Sequence, residues 1–249
     1  MESILREVNN LGIELVREDR GIIVNDEWLV IADLHLGYEI SLAEEGIYFP
    51  EIQYKEFVNR LTKIKDKFNV SKIVINGDLK HKFSYHSSIG WRIIDDFIKF
   101  LAEEFEKAVF IRGNHDTFLI KYLKKYNFEL LDYYVLDNIF ITHGHKFFDI
   151  SLNYKVIVIG DEHPAVSLYD EIGVKHKIKV FLVGKTKNNI LIVLPSFSDL
   201  FPGLSVNDIP KDELNSPYLK LFLNDDFLCI PVDETLPVFK LSDVKDMIS

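Results

Sequence analysis

Five short segments of this chain group the residue types that bind divalent metal ions and phosphate. They are Asp33-Leu34-His35, Gly77-Asp78, Gly113-Asn114-His115-Asp116, His143-Gly144-His145 and Gly160-Asp161-Glu162-His163. Six of the 8 histidines fall in or next to these clusters, counting His81 just past Asp78. Carboxylate, imidazole and amide oxygen together suit borderline-hard divalent ions such as Mn²⁺, Fe²⁺ or Zn²⁺. A carboxylate such as Asp78 can bridge two ions ~3.5–4 Å apart, the separation used for in-line displacement at phosphorus. Taken singly, the clusters have ordinary readings: a helix cap, a routine turn, two solvent-facing rings, an acidic loop. Asn114-His115-Asp116 is the most specific, because a polar run behind VFIR has no role in a core. The metal reading rests on all five occurring in order, each behind an apolar run.

Those runs are 28–31, 72–75, 108–111, 138–141 and 156–159, rich in Val and Ile and of strand length. Between the first two, Ile52, Phe57, Leu61, Ile64 and Phe68 fall at helical spacing. Between the next two, Trp91, Ile94, Phe97, Ile98, Leu101 and Phe105 do the same. Strands alternating with helices predict an α/β domain, in which the carboxyl ends of neighbouring strands converge on one crevice. After residue 164 the texture turns β-rich, with strands expected over 177–183, 189–194 and 227–230 and few helical signals before the tail near Ser242. Residues 196–208, SFSDLFPGLSVND, read as an irregular loop turning at Pro202-Gly203. The whole chain, 1–249, reads as a single domain, with the part from 164 onward packed on the same core as the motifs at 33–163.

Composition narrows the possibilities. The N-terminus has no apolar core of signal-peptide length, and the apolar runs fall far short of the ~20 residues of a membrane helix, so a cytoplasmic protein without membrane partners is expected. The single cysteine, Cys229, excludes an intramolecular disulfide framework and reads as a core residue. A net charge of −10 confines any phosphate-gripping patch to a small area. Lys80, Lys82, Arg112 and Lys146 are next to the motifs and could form such a rim. His81 and Arg112 are the candidate substrate-binding residues; His86 and His176 read as exposed. His145 is placed to support His143 through a hydrogen bond. No stripe of aromatics with basic spacing is readable, so base stacking finds no support.

The order Asp-x-His, Gly-Asp, Gly-Asn-His-Asp, His-Gly, Gly-x-x-His resembles that of the calcineurin-like metallophosphoesterase superfamily. ADLHLGYE, NGDLKH and DEHPA are most similar to the compact bacterial and archaeal phosphoesterases that include ligase- and helicase-associated DNA-repair enzymes. The resemblance implies a four-layer α/β/β/α sandwich of two mixed sheets flanked by helices. It implies two divalent ions, Mn²⁺ above all, with Fe, Ni, Zn or Mg as alternatives. Asp33, His35 and His163 would hold the first ion, Asp78 would bridge, and Asn114 and His143 would hold the second. His115 would be the catalytic group beside the phosphate and Asp116 its orienting partner, while a metal-bridging hydroxide attacks. The implied substrate is a phosphodiester, such as a nucleic acid or nucleotide. A phosphomonoesterase is the second enzyme reading. The pattern departs at Asp161, where the family carries a histidine for the second ion. An extra carboxylate there predicts an altered or weaker second site and keeps a third reading open, a metal-binding scaffold with feeble catalysis.

Overall fold

A computed structural model describes residues 2–47, 53–81, 87–170 and 172–246. The chain opens with helix α1 (Glu2–Asn10) and an antiparallel ribbon of β1 (Ile13–Val16), β2 (Gly21–Val24) and β3 (Trp28–Ile31). Helices α2 (Tyr38–Glu44) and α3 (Gln53–Phe68) lead to β4 (Lys72–Asn76), α4 (Ser88–Glu104) to β5 (Lys107–Ile111), and α5 (Ile120–Leu123) to β6 (Leu130–Leu131). These strands form one sheet in the order β1-β2-β3-β4-β5-β6, parallel from β3 onward.

The second sheet begins with β7 (Tyr133–Leu136), β8 (Ile139–Thr142) and β9 (Val156–Ile159). It continues with β10 (Pro164–Tyr169), β11 (Lys175–Lys185), β12 (Ile190–Val193) and β13 (Leu204–Ser205), and then helix α6 (Pro217–Phe222). Strands β14 (Leu228–Pro231) and β15 (Phe239–Lys240) and helix α7 (Leu241–Asp246) complete the chain. The strand path is β13-β10-β11-β12-β9-β8-β7, with β14 also paired to β11 and β15 to β14.

The alternation of side chains along buried strands builds the layers. In β4, Ile73 and Ile75 face Phe57, Leu61, Phe97 and Leu101 of α3 and α4. Val74 between them faces Val156, Val158, Ile190 and Ile192 of the other sheet. In β9, Ile157 and Ile159 point the opposite way, onto Tyr218 and Leu219 of α6 and Val244 of α7. Three apolar layers separated by two sheets give the α/β/β/α sandwich that the resemblance implied. Each of these fully buried side chains contributes roughly 1.5–3 kcal/mol.

The five expected strands are present to within a residue at each end, and both long helices form; Ile52 lies outside the described residues. The ribbon β1–β2 was not foreseen. Its strands are four residues long and carry Glu14 between apolar neighbours, and the turn into β3 runs through Asn25 and Asp26 at φ 54° and 57°, a two-residue left-handed turn that favours Asn and Asp. Helix α6 was also unread, being only six residues long. The segment 196–208 is irregular as expected, except that β13 pairs in parallel with β10. Cys229 is buried in β14, where burial pushes its thiol up to about 12 and makes it inert.

Candidate metal centre

The five clusters follow directly on β3, β4, β5, β8 and β9, and the loops beyond the strands keep their neighbours' register. Beyond β3 and β4, Asp33 N–H donates to Gly77 O (3.2 Å), His35 N–H to Asp78 O (2.9 Å) and Leu36 N–H to Leu79 O (2.9 Å). In the second sheet Gly160 N–H donates to His143 O (2.8 Å). The close approach depends on glycine at two positions. A Cβ on Gly113 would overlap the Asp78 carboxylate, and one on Gly77, at φ 84°, would run into the His143 ring. Asp33, His35, Asp78, Asp161 and His163 all adopt left-handed backbone, with φ between 46° and 58°. Such conformations cost on the order of 1–3 kcal/mol each and persist where function holds them.

Asp33, His35, Asp78 and His163 each bring one ligand atom within 4.8 Å of the others, a group able to hold an ion. His163 Nε2 is 3.1 Å from Asp33 Oδ1, and His35 Nε2 is 3.7 Å from Asp78 Oδ2. A second group of three comes from His35, His81 and His115, with His81 Nδ1 3.4 Å from His35 Nδ1. His143 touches both carboxylates, its Nε2 2.9 Å from Asp33 Oδ1 and 3.9 Å from Asp78 Oδ2. With its amide nitrogen toward Asp78, Asn114 donates to Oδ2 at 2.9 Å and Oδ1 at 3.2 Å. Turned over, the amide oxygen faces the carboxylate, as two oxygens sharing a cation would. Asp161 is buried, and its one ion pair among the described residues is with His143 Nδ1 at 3.9 Å.

The donor set fits divalent ions. Asp33 Oδ2 is buried and has no hydrogen-bond partner among the described residues, and the Nε2 atoms of His35 and His163 face each other at 3.3 Å. Without a cation, protons must balance the buried carboxylates. Burial opposes protonation of His143, yet its hydrogen bond to Asp33 and the charges of Asp33, Asp78 and Asp161 push it up to about 10. Burial and the neighbouring His143 push His145 down to about 4, so its ring is a neutral acceptor for His143 Nδ1 at 3.0 Å. Burial pushes Asp78 up to about 7 and Asp161 up to about 6. Burial acts on Asp33 in the same sense, but His163 and His143 outweigh it and hold that carboxyl below its usual range.

Several of the expected residues also have other partners. Among the described residues, the two oxygens of Asp116 accept from Gly113 N–H (2.8 Å) and Lys80 N–H (3.4 Å). It fixes the turn that carries Asn114 and His115, and His115 N–H in turn donates to Asp78 Oδ1 at 2.8 Å. Arg112 forms its ion pair with Asp132 (3.5 Å) rather than with the cluster. Lys80, one of the four residues expected to form a basic rim, is buried, with its ammonium 5.7 Å from the Trp91 ring. Lys146 is exposed, and Lys82 and His86 lie outside the described residues. His176 is exposed and pairs with Asp170. His81 Nδ1 lies 3.4 Å from His35 Nδ1, and His145 Nδ1 lies 3.0 Å from His143 Nδ1.

Three features escaped the sequence reading. Glu162 is fully buried and accepts from Asn215 N–H (3.0 Å) and Ser216 N–H (2.8 Å), tying the β9 loop to the start of α6. Ser196 Oγ donates to Asp33 O at 3.0 Å. Phe201 stacks on His35, with centroids 4.1 Å apart. None has a local signature, because each partner is distant in sequence.

A family model described as calcineurin-like phosphoesterase matches residues 28–203. Among solved structures, the nuclease MPE of Pseudomonas putida is similar with a TM-score of 0.58 at 18% identity, over 88% of this chain and 94% of that one. Yfce, a phosphoesterase from E. coli, aligns at 16% identity with a TM-score of 0.41, over 86% of this chain and 98% of that one. No curated protein sequence matches the chain. Among the described residues, no helix is long and apolar enough to cross a membrane.

Proposed function

The chain belongs to the calcineurin-like phosphoesterase family, and we propose that it hydrolyses phosphodiester bonds, those of a nucleic acid or nucleotide, with two divalent ions that are Mn²⁺ by preference. The observation that carries this reading is the convergence of buried Asp33, His35 and Asp78 with half-buried His163 from three strand ends. In our assignment these four hold the first ion, and Asp78, Asn114, His143 and Asp161 hold the second. When bound, such ions acidify a water for attack and neutralise charge on the phosphate.

The chain's own residues do the rest. His115 is half-buried, its Nε2 is 3.8 Å from Asp78 Oδ2, and in this reading it gives the leaving oxygen its proton. Asp116 holds the turn on which His115 is carried. His145 and His81 orient His143 and His35 through their ring nitrogens. The fold likeness to the Pseudomonas putida nuclease is compatible with a nucleic-acid substrate and with the DNA-repair grouping that the sequence resemblance implies. We read residues 1–249 as one domain, supported by strands before and after residue 164 pairing in the same sheet.

The test is to strip the protein with chelator, restore Mn²⁺, Mg²⁺, Zn²⁺ or Ni²⁺ singly, and assay bis(p-nitrophenyl) phosphate, p-nitrophenyl phosphate and single-stranded DNA and RNA. Diester turnover that requires a metal and is lost in His115→Ala is expected. No turnover with any metal would overturn the enzyme reading and leave a metal-binding scaffold. Monoester turnover alone would overturn the diester assignment.

A further inference from the structure

The fold assembles, at the rim of the ligand cluster, an aromatic pair that no local pattern announces. Phe201 lies at 24° to the His35 ring, and Tyr38, the first residue of α2, is 4.7 Å from Phe201. Phe201 is 5.4 Å from the His81 ring and 5.9 Å from His163, so the pair adjoins the place where a phosphate would meet the ligands. Both rings are half-buried and keep surface to offer.

The segment that presents Phe201 is held from all sides. At its start, Phe197 N–H donates to Ala32 O (2.9 Å) and Ser196 Oγ to Asp33 O; at its end, Leu204 N–H donates to His163 O (2.8 Å). Underneath, Arg20 and Arg60 donate to Phe197 O at 3.1 and 2.7 Å, and both pair with Asp199. Lys179 donates to Ser198 O, and Gln53 donates to Ser198 Oγ at 2.9 Å. Such anchoring exceeds what a mere covering loop needs. A ring fixed before a ligand arrives loses little entropy on binding.

We propose that Phe201 and Tyr38 form a stacking platform for the base next to the scissile phosphate, making the substrate a nucleoside phosphodiester with an unpaired base. The proposal rests on the phosphodiesterase reading for where the phosphate binds. Every base offers a π-face, so aromatic stacking recognises a strand without choosing its sequence. A base inside a duplex has both faces covered by its neighbours and must be extruded first, which selects for single strands. In a protein of net charge −10, stacking also supplies affinity that a basic groove would otherwise provide.

The test compares a single-stranded oligonucleotide with the same strand carrying abasic sites and with its blunt duplex. Binding is read by fluorescence anisotropy, and hydrolysis is measured separately with Mn²⁺. The wild-type protein is expected to favour the intact strand over the abasic one by about 5- to 100-fold. Phe201→Ala should bring that ratio close to one, and Phe201→Trp should preserve it. Taking the ratio within each variant cancels losses of folded or metal-loaded protein, which a purely packing role for Phe201 would produce. A wild-type ratio of one, a ratio unchanged in Phe201→Ala, or equal binding of duplex and single strand overturns the platform. Base-dependent binding without hydrolysis of any strand upholds the platform and overturns the hydrolase reading; hydrolysis indifferent to bases does the reverse.

Discussion

The two halves of the ligand cluster are built to different tolerances. In one half, Asp33, His35, Asp78 and His163 are drawn within 4.8 Å of one another. In the other, Asn114 is exposed, Asp161 lies beside His143 Nδ1 (3.9 Å), the nitrogen that also meets His145, and His143 Nε2 is turned to Asp33 at 2.9 Å. Backbone explains the difference. Most of the compact half comes from β3 and β4, adjacent in one sheet, whose loops stay hydrogen-bonded rung by rung past the strand ends. The looser half draws on β5 in one sheet and β8 and β9 in the other, so convergence depends on side-chain reach. An aspartate reaches less far than a histidine, and residue 161 is where this chain has the shorter side chain.

The largest effect should come from the carboxylate the halves share. Asp78→Ala is expected to bring metal-dependent hydrolysis down to the level of the chelated control. The same variant, when chelated, should melt no lower than wild type at pH 8, because a buried carboxyl pushed up to about 7 is unwelcome there as an anion. Retained hydrolysis would show that the halves do not meet at Asp78. Next, His115→Ala should lower kcat by about 10²–10⁴-fold with metal content unchanged, the signature of a lost proton donor. A loss of bound metal instead would move His115 into the ligand set with His35 and His81.

The compact half was legible from its sequence because strand adjacency in a parallel sheet is a local rule, and Asp33, His35 and Asp78 follow strands that alternation makes easy to find. His163 and His143 came through the order of the motifs. The partners of Asp116 and Arg112 were not legible for a common reason: both neighbour His115 in sequence, whereas the backbone N–H groups of Gly113 and Lys80 meet Asp116, and Asp132 meets Arg112, through the fold. Phe201 and the Arg20–Arg60–Asp199 group were invisible because they depend on residues 194–198 crossing between the sheets. Leu194 N–H still binds Ile159 O of the second sheet, at 2.8 Å, while Phe197 N–H binds Ala32 O beyond β3 of the first.

Two smaller effects sharpen the contrast between the halves. His145→Ala removes the partner of His143 Nδ1 and should weaken one ion's binding by about 10–100-fold, with the tighter ion unaffected. Asp161→His lengthens the short ligand, so equilibrium dialysis against Mn²⁺ should show stoichiometry rising toward two at concentrations where wild type holds about one. Unchanged stoichiometry and turnover would mean that Asp161 does not limit the second half.

The smallest effect, and the most diagnostic of how the halves are balanced, is in the pH dependence of stability. Asp78 and Asp161 have folded pKa values raised to about 7 and about 6, against ~3.9 for an unfolded aspartate. The folded state prefers their protonated forms, so that contribution is full below the unfolded value and is lost as pH rises through 6 and 7. His143, raised to about 10 from an ordinary ~6.5, contributes fully below the unfolded value and loses its contribution as pH rises through 10. Asp33 runs the other way, held below its usual range, and its contribution is lost only in acid. The chelated protein should therefore show a Tm that falls from about pH 4, through the range of Asp78 and Asp161 and then that of His143, and levels off above about pH 10. Mn²⁺ must displace the same protons, so the Tm gain it confers should grow from pH 5 to pH 8. A gain independent of pH would mean that Asp78, Asp161 and His143 take no part in holding an ion, and the compact half would have to do so through Asp33, His35 and His163 alone.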